Sequence, residues 1–368
     1  MSRIRPPRPV RILEFGYADQ KMPSGRSTLL VCALQNEGFQ FNSLLVNPLS
    51  RAKSVQLAVN VWRASSAQFV FLRFPYFPWM LRCAIFLKKK LKAKLIVDAM
   101  ISTHETIIED RALYEPGSRQ ARSCVEEDSL VGKAADLLVV DTNLHAKYLA
   151  NKFGCAESKM IVVPVGSPLF ELIGRNETLQ GRESHEPLTV LYIGSFVPLH
   201  GIGTIIEAAR IVSSASRKIR FRFIVEGQDY ERARKLAAAT EMIQLVGAVS
   251  REEALCETQQ ADIVLGIFGS STKAGLVIPF KVYDALACGK PVITAQTPAA
   301  EELLRHGKDS WLVKPEPADL AKAIEQLASG PDLRRKLGIG ARKSYETYFH
   351  SSISIKPLVQ KLNELVLR

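Results

Sequence analysis

Two lysines, Lys273 and Lys281, flank the residues best suited to hold an anion. The loop Gly269 to Leu276 reads GSSTKAGL, and Val277 to Thr294 reads VIPFKVYDALACGKPVIT. Proline suits the first position of a helix, where a missing N–H loses no partner. Glycine suits the position just past a helix end. A short helix is therefore expected from Ile278 or Pro279 to Gly289, with a strand from Pro291 to Thr294 after it. The free N–H groups at such a helix start favour phosphate. The same pattern also fits an ordinary loop–helix–strand unit with no ligand. A second set of reactive types lies in Asp98 to Arg111, DAMISTHETIIEDR, after a run expected to be a strand. Ligands of parallel sheets bind beyond the carboxyl ends of strands, so Asp98, His104, Glu105 and Asp110 are placed to reach one. His104 there suits a general base or hydrogen-bond donor, with a solvated loop histidine as the plainer alternative.

Several chemistries lack their residues. Gly201-Ile202-Gly203 opens a helix after a strand, with Glu226 at the distance of a ribose contact, but Ile206 occupies the third glycine position of a dinucleotide fingerprint. Around Lys273 a phosphate loop fails as well, because Thr272 precedes the lysine and Ala274 follows it. No Gly-x-Ser-x-Gly elbow and no clustered metal ligands occur, so no metal is expected. Chemistry here would have to rest on positioning and electrostatics.

The elements that must position these groups alternate. Val10–Phe15, Phe39–Val46, Ala67–Arg73, Leu95–Ala99, Leu137–Asp141 and Met160–Pro164 read as strands of the first half. Leu188–Ile193, Phe221–Val225, Met242–Val246 and Ile263–Ile267 read as strands of the second. Helical patterns separate them, among them Arg26–Asn36 and the face Ile202, Ile205, Ile206 and Ala209. That alternation predicts two parallel sheets covered by helices. The polar stretch 173–187 reads as a linker, and Ser351–Arg368 as one closing helix with Ile353, Leu358, Leu362 and Leu365 apolar.

At 368 residues, 47% hydrophobic and 23% charged, the chain suits two soluble domains. Its net charge of +12 is uneven: residues 1–175 hold 24 Lys/Arg against 15 Asp/Glu, residues 176–368 hold 25 against 22. The first half thus suits an anionic partner, and without a nucleic-acid motif nucleic acid is not expected. Six scattered cysteines suit a reducing compartment. The start, MSRIRPPRPVRILEF, has no apolar signal core. A cytoplasmic location is expected. Phe69–Leu87 is interrupted by two arginines and two prolines and does not read as a membrane span. Trp79–Lys94, WMLRCAIFLKKKLKAK, combines an apolar face with six lysines and arginines, counting Arg82. It reads either as a core-packed helix with a solvated basic end or as a peripheral contact with an anionic membrane at its inner face.

Taken together, YIGSFVPLHGIGTIIEAA (Tyr192–Ala209), FRFIVEGQ (Phe221–Gln228), KVYDALACGKPVIT (Lys281–Thr294) and ELLRHGKDSWLVKP (Glu302–Pro315) resemble the donor domain of the retaining family 4, or group 1, glycosyltransferases. DAMISTHETIIEDR and VVDTNLHAKYLANKFG (Val139–Gly154) extend the resemblance over the first half. The resemblance implies an α/β GT-B fold, two Rossmann-like doubly wound domains facing across a cleft. It implies an acceptor-binding domain over 1–172, a nucleotide-sugar-binding domain over 188–348 and a helix over 349–368 that crosses back to the first domain. The implied activity is a hexosyltransferase reaction with retention and without metal, on a polar or lipid-linked acceptor. The nucleotide-sugar is a co-substrate, and no cofactor is expected.

By position, the resemblance sets Gly194 and Ser195 against the diphosphate and His200 where a lysine is usual. Lys273 and Lys281 share the phosphate charge. Val277, Ile278 and the residues up to Phe280 offer backbone N–H groups. Asp284 replaces the second of two glutamates eight residues apart and faces the ribose, while Leu276 stands in place of the first, which usually contacts the sugar. His104 and Asp98 are the expected catalytic groups. The missing glutamate also admits a non-catalytic nucleotide-sugar-binding partner of another transferase. A nucleotide-sugar epimerase or hydrolase, which needs no acceptor, fits the same fold.

Overall fold

The computed structural model describes residues 9–17, 25–46, 66–173, 187–215, 218–226, 230–238 and 240–367, and the chain divides into two compact units. Most of the expected linker, 174–186, lies outside the described residues.

Unit 1 comprises Met1–Ser102, Arg122–Val163 and Ser354–Arg368. Its sheet is built from β1 (Arg11–Tyr17), β2 (Gln40–Val46), β3 (Phe69–Leu72), β4 (Lys94–Asp98), β5 (Leu137–Val140) and β6 (Met160–Val162), in the order β2-β1-β3-β4-β5-β6. Every pairing is parallel. Strands covered on both faces read as unbroken apolar runs, as β3 (FVFL) and β5 (LLVV) do. The period of two splits them between two cores. Leu13, Phe15, Val70, Leu72, Leu95, Val97, Leu138 and Val140 meet Met80, Leu81, Ala84 and Leu87 of the helix Pro78–Leu91. Ile12, Phe69, Phe71, Ile96, Leu137 and Val139 meet Leu30 and Leu34 of the helix Arg26–Asn36 on the other face.

The last helix, Lys356–Leu367, belongs to this unit, with Leu358 and Leu362 fully buried in the second core. The single helix expected over Ser351–Arg368 is broken. A short turn, Ser351–Ser354, precedes it and Ile355 is buried between the two, just before Pro357. Proline supplies no N–H to continue a helix through that point. Ile353 consequently stays 37% exposed and outside the core.

Unit 2 comprises Thr103–Ala121 and Pro164–Ile353. Its strands are β7 (Leu188–Ser195), β8 (Ile219–Glu226), β9 (Ile243–Val246), β10 (Ile263–Leu265), β11 (Val292–Ala295) and β12 (Trp311–Val313), ordered β12-β11-β10-β7-β8-β9 and all parallel. The order reverses between β7 and β10, and such a switch point opens a crevice at the carboxyl ends of the two strands. β12 was not expected from the sequence. It is a three-residue strand at the sheet edge with only Leu312 buried, too short to show a period.

The boundary expected at residue 172 is corrected in two places. Thr103–Ala121 joins unit 2, tied there by hydrogen bonds from Lys273 Nζ to Thr106 Oγ1 (2.5 Å) and from Ser271 Oγ to Asp110 Oδ1 (2.7 Å). The chain from Pro164 onward also belongs to unit 2, because Ser167 and Glu171 bond to its residues Asp284, Tyr345 and Ser351.

Candidate anion site of unit 2

The site forms where β7 ends. Gly194 has φ +152°, a backbone region that side chains rarely enter, and a Cβ there would fall 2.5 Å from Lys281 Nζ and 3.3 Å from His200 Cε1. The absence of a side chain at Gly194 thus lets two basic groups close over the strand end. The following carbonyl, of Ser195, accepts from Val197 N–H (3.2 Å), from Tyr192 O–H (3.3 Å) and from the His200 ring through Nδ1. A carbonyl only accepts, so Nδ1 of His200 carries hydrogen and Nε2 is the acceptor of the neutral ring.

The turn Pro198–His200 is then locked to the loop after β10. Phe268 N–H donates to His200 O (3.0 Å) and Gly269 N–H to Leu199 O (3.2 Å). Gly201, at φ +64°, packs so closely that a Cβ would lie 2.2 Å from the Phe268 carbonyl carbon. Both loops at the switch point are therefore held together by backbone. Gly203 has open space where its Cβ would be, so the second glycine of the apparent dinucleotide pattern serves no close approach.

Lys281 lies in the helix Phe280–Ala287. The helix starts one residue beyond Pro279, which caps it in an extended conformation, and it ends before Gly289 at φ +63°. Lys281 Nζ sits 4.0 Å from the centroid of the Tyr192 ring and, among the described residues, has no hydrogen-bond partner although it is shielded from water. Burial holds its pKa well below the usual lysine value. The Tyr192 ring face attracts a cation but supplies no hydrogen-bond acceptor for the three ammonium donors.

His200 feels the same field. Burial first, then the charges of Lys281, Lys273 and Arg111, push its pKa well below the ordinary histidine value, against the bond to Ser195 O. The ring is thus held toward its neutral form, with Lys281, Lys273 and Arg111 as the basic groups around it. Lys273 is only 5% exposed, and its ammonium donates to Thr106. A convergent basic site of this kind is arranged for a multiply charged anion.

The other expected residues divide. Val277 and Ile278 precede the helix start and are buried, 8% and 3% exposed. Val277 and the half-buried Leu276 pack with Val197, Leu199, Ile267 and Ala274, so apolar packing replaces the glutamate that the resemblance anticipates at position 276. Asp284, three residues beyond Lys281 on the helix, receives the hydroxyl of Ser167 on one oxygen, and its pKa is pushed up to about 7 by burial, against that bond and the charge of Arg251. His104 immediately precedes the π-helical turn Glu105–Asp110 and lies 3.6 Å from Glu109 through Nδ1. Sequence reasoning missed Tyr192, whose ring receives Lys281, and Arg111. The missing signal was tertiary, since Arg111 lies far along the chain from Lys281 and β7.

Asp98, expected as catalytic, lies in unit 1. It is 0% exposed at the end of β4 in unit 1, accepts from Ser27 Oγ at 2.7 Å and faces Arg26 at 3.6 Å. Arg26 begins a helix, where positive charge opposes the helix dipole, and also donates to Val140 O (2.9 Å) and Val163 O (2.8 Å). Asp98 is thus the counter-charge that lets Arg26 pin the helix to the strand ends.

Two parallel six-stranded units, the second with an interlocked basic site at its switch point, are the GT-B class of fold. Solved structures share it. HepE from Anabaena, solved with UDP-glucose, superposes with a TM-score of 0.68 at 13% identity, covering 96% of this chain and 99% of that one. Sucrose-phosphate synthase from Thermosynechococcus elongatus superposes with a TM-score of 0.71 at 15% identity, covering 98% and 100%. Residues 175–344 match the family model described as glycosyl transferases group 1. The amylovoran biosynthesis glycosyltransferase AmsK of Erwinia amylovora is 28% identical over 49% of this chain and 46% of its own length. A D-inositol 3-phosphate glycosyltransferase of Streptomyces bingchenggensis is 28% identical over 64% and 53%. The chain therefore spans about half the length of these relatives.

Proposed function

We propose that the chain is a glycosyltransferase that moves a hexosyl group from a nucleotide-sugar to an acceptor, with retention of configuration and without a metal. The observation that carries this is the shielded, unpartnered ammonium of Lys281 at the end of β7. Diphosphate is the leaving group of such a donor, and the charge it develops needs donors already in place. Lys281 and Lys273 supply that charge, with backbone N–H groups around Gly194 and Ser195 beside them and neutral His200 adding a hydrogen-bonding ring. Val277 and Ile278 offer backbone at the approach to the helix, and Asp284 takes the ribose. His104 stands two residues from Thr106, the partner of Lys273, and bonds the transferred sugar in this proposal. The group 1 match and the UDP-glucose complex of HepE support the donor class. The test is release of nucleoside diphosphate from a panel of nucleotide-sugars with polar and lipid-linked acceptors. Acceptor-dependent release is expected. Release without acceptor would instead mark an epimerase or hydrolase. Tight binding with no release across the panel, which the apolar Leu276 would explain, would mark a non-catalytic binding partner.

The acceptor side of the proposal includes an anionic membrane surface. The helix Pro78–Leu91 buries Met80, Leu81, Ala84 and Leu87 and turns Arg82, Phe86, Lys89 and Lys90 outward. These outward positions share one helical face. Phe86 is 47% exposed and Phe77, just before the helix, 43%, while the helix holds no acidic residue. Exposed aromatic rings among lysines suit the headgroup boundary. No described helix is long and apolar enough to cross a membrane. Cosedimentation is expected with vesicles containing phosphatidylglycerol at low salt, and Phe86→Glu with Lys89→Glu should abolish it. Equal recovery with pure phosphatidylcholine, or none with either, removes the membrane from the proposal.

A further inference from the structure

We propose that Ser167 is a positioning residue for the nucleoside end of the site: its hydroxyl fixes one oxygen of Asp284 and leaves the other to receive hydroxyl groups of a bound nucleoside. This deepens the glycosyltransferase reading and rests on it.

The donor directions around Ser167 are forced. Its backbone N–H donates to Tyr345 Oη at 3.1 Å, and the Tyr345 hydroxyl in turn donates to Glu171 Oε1 at 2.6 Å. Glu171 is held from the other side by Ser351, whose N–H reaches Oε1 at 2.9 Å and whose hydroxyl reaches Oε2. The Ser167 oxygen accepts from Phe170 N–H at 3.3 Å, so its single hydrogen is left for Asp284 Oδ1. Ser167 and Tyr345 are both 0% exposed, so neither bond competes with water. Among the described residues, Ser167 is the one hydrogen-bond donor to the Asp284 carboxylate. The other oxygen is not among the buried atoms left without a partner.

That single bond matters because the carboxylate is finely balanced. Burial raises its pKa to about 7, while Ser167 and the Arg251 charge oppose the rise. The elements packed against it bring few other charges. Tyr345 faces it with its proton committed to Glu171, Cys288 lies one turn on with its thiol pKa raised by burial, and Arg342 bonds to Ala287 O and Glu346. A ligand hydroxyl bonds the ionised form more strongly, as a charge-assisted acceptor. Removing the Ser167 hydroxyl should raise the pKa further and move nucleotide capture to higher pH.

The experiment measures calorimetric affinity for UDP, GDP and ADP from about pH 6 to 9 for the full chain and for Ser167→Ala, Ser167→Thr and Asp284→Asn, together with the carbon-13 titration of the Asp284 carboxyl. An upward shift of about one unit in Ser167→Ala weakens binding about tenfold near pH 6 and not at all near pH 9. Ser167→Thr should restore the wild-type profile, and Asp284→Asn should flatten it. A loss that is equal at every pH, or an unchanged carboxyl titration, would show Ser167 to be merely structural and overturn the inference. Absence of nucleotide binding by the wild-type chain would instead sink the glycosyltransferase reading, and this inference with it.

Discussion

Lys281→Met is expected to weaken binding of a nucleoside diphosphate by about 1.5–3 kcal/mol, the worth of a charge-assisted hydrogen bond, or roughly ten- to more than a hundredfold in Kd. The same replacement should raise the stability of the ligand-free protein. Its ammonium is shielded, contacts the Tyr192 ring at 4.0 Å and has no hydrogen bond among the described residues. A buried cation in that state is a cost to the fold. The sign with pH follows from its lowered pKa. The unfolded chain holds a proton on Lys281 up to the normal lysine range, whereas the folded chain releases it earlier. Unfolding therefore takes up a proton in that window, and wild-type stability gains as pH rises from the folded value toward about 10.4. The variant should lose this gain. Calorimetry of binding and urea unfolding at two pH values decide it. A variant that binds normally would remove Lys281 from the site, and one less stable than wild type would show that the ammonium is satisfied.

Asp98→Asn is expected to destabilise unit 1 by about 3 kcal/mol, because Arg26 is then left buried without a counter-charge. Nucleotide affinity measured well below the melting temperature should stay near wild type, since the anion site is built from unit 2. The double change Arg26→Met with Asp98→Leu should recover most of the loss, because it removes both charges. Turnover abolished with unfolding unchanged would restore Asp98 to catalysis.

Local chemistry made much of this molecule legible from the residues alone. Parallel strands buried on both faces had to be continuous apolar runs, so FVFL and LLVV announced themselves, whereas WLV at the sheet edge was too short and too exposed to do so. Gly289 lies just past the helix end and Pro279 caps its start, because one supplies a left-handed turn and the other a fixed φ. Lys273 and Lys281 could be named because their type and spacing suit an anion wherever the chain folds them, whereas Gly194 was named only through the family resemblance. Asp98 shows the limit of such reading: a carboxylate at a strand end looks catalytic by position, and its pairing with Arg26, seventy-two residues earlier, shows only in the tertiary structure.

By itself, then, the sequence determined the alternating elements, the two parallel sheets and the basic stretch around the second, since each depends on neighbours a few residues apart. The tertiary structure decided which groups stand together: Tyr192 under Lys281, Arg111 near His200, Thr106 on Lys273 and Ser167 on Asp284. Those pairings join residues far apart in the chain, and burial and charge act through space rather than along it. The same residue types would carry ordinary protonation states if their partners were left in water.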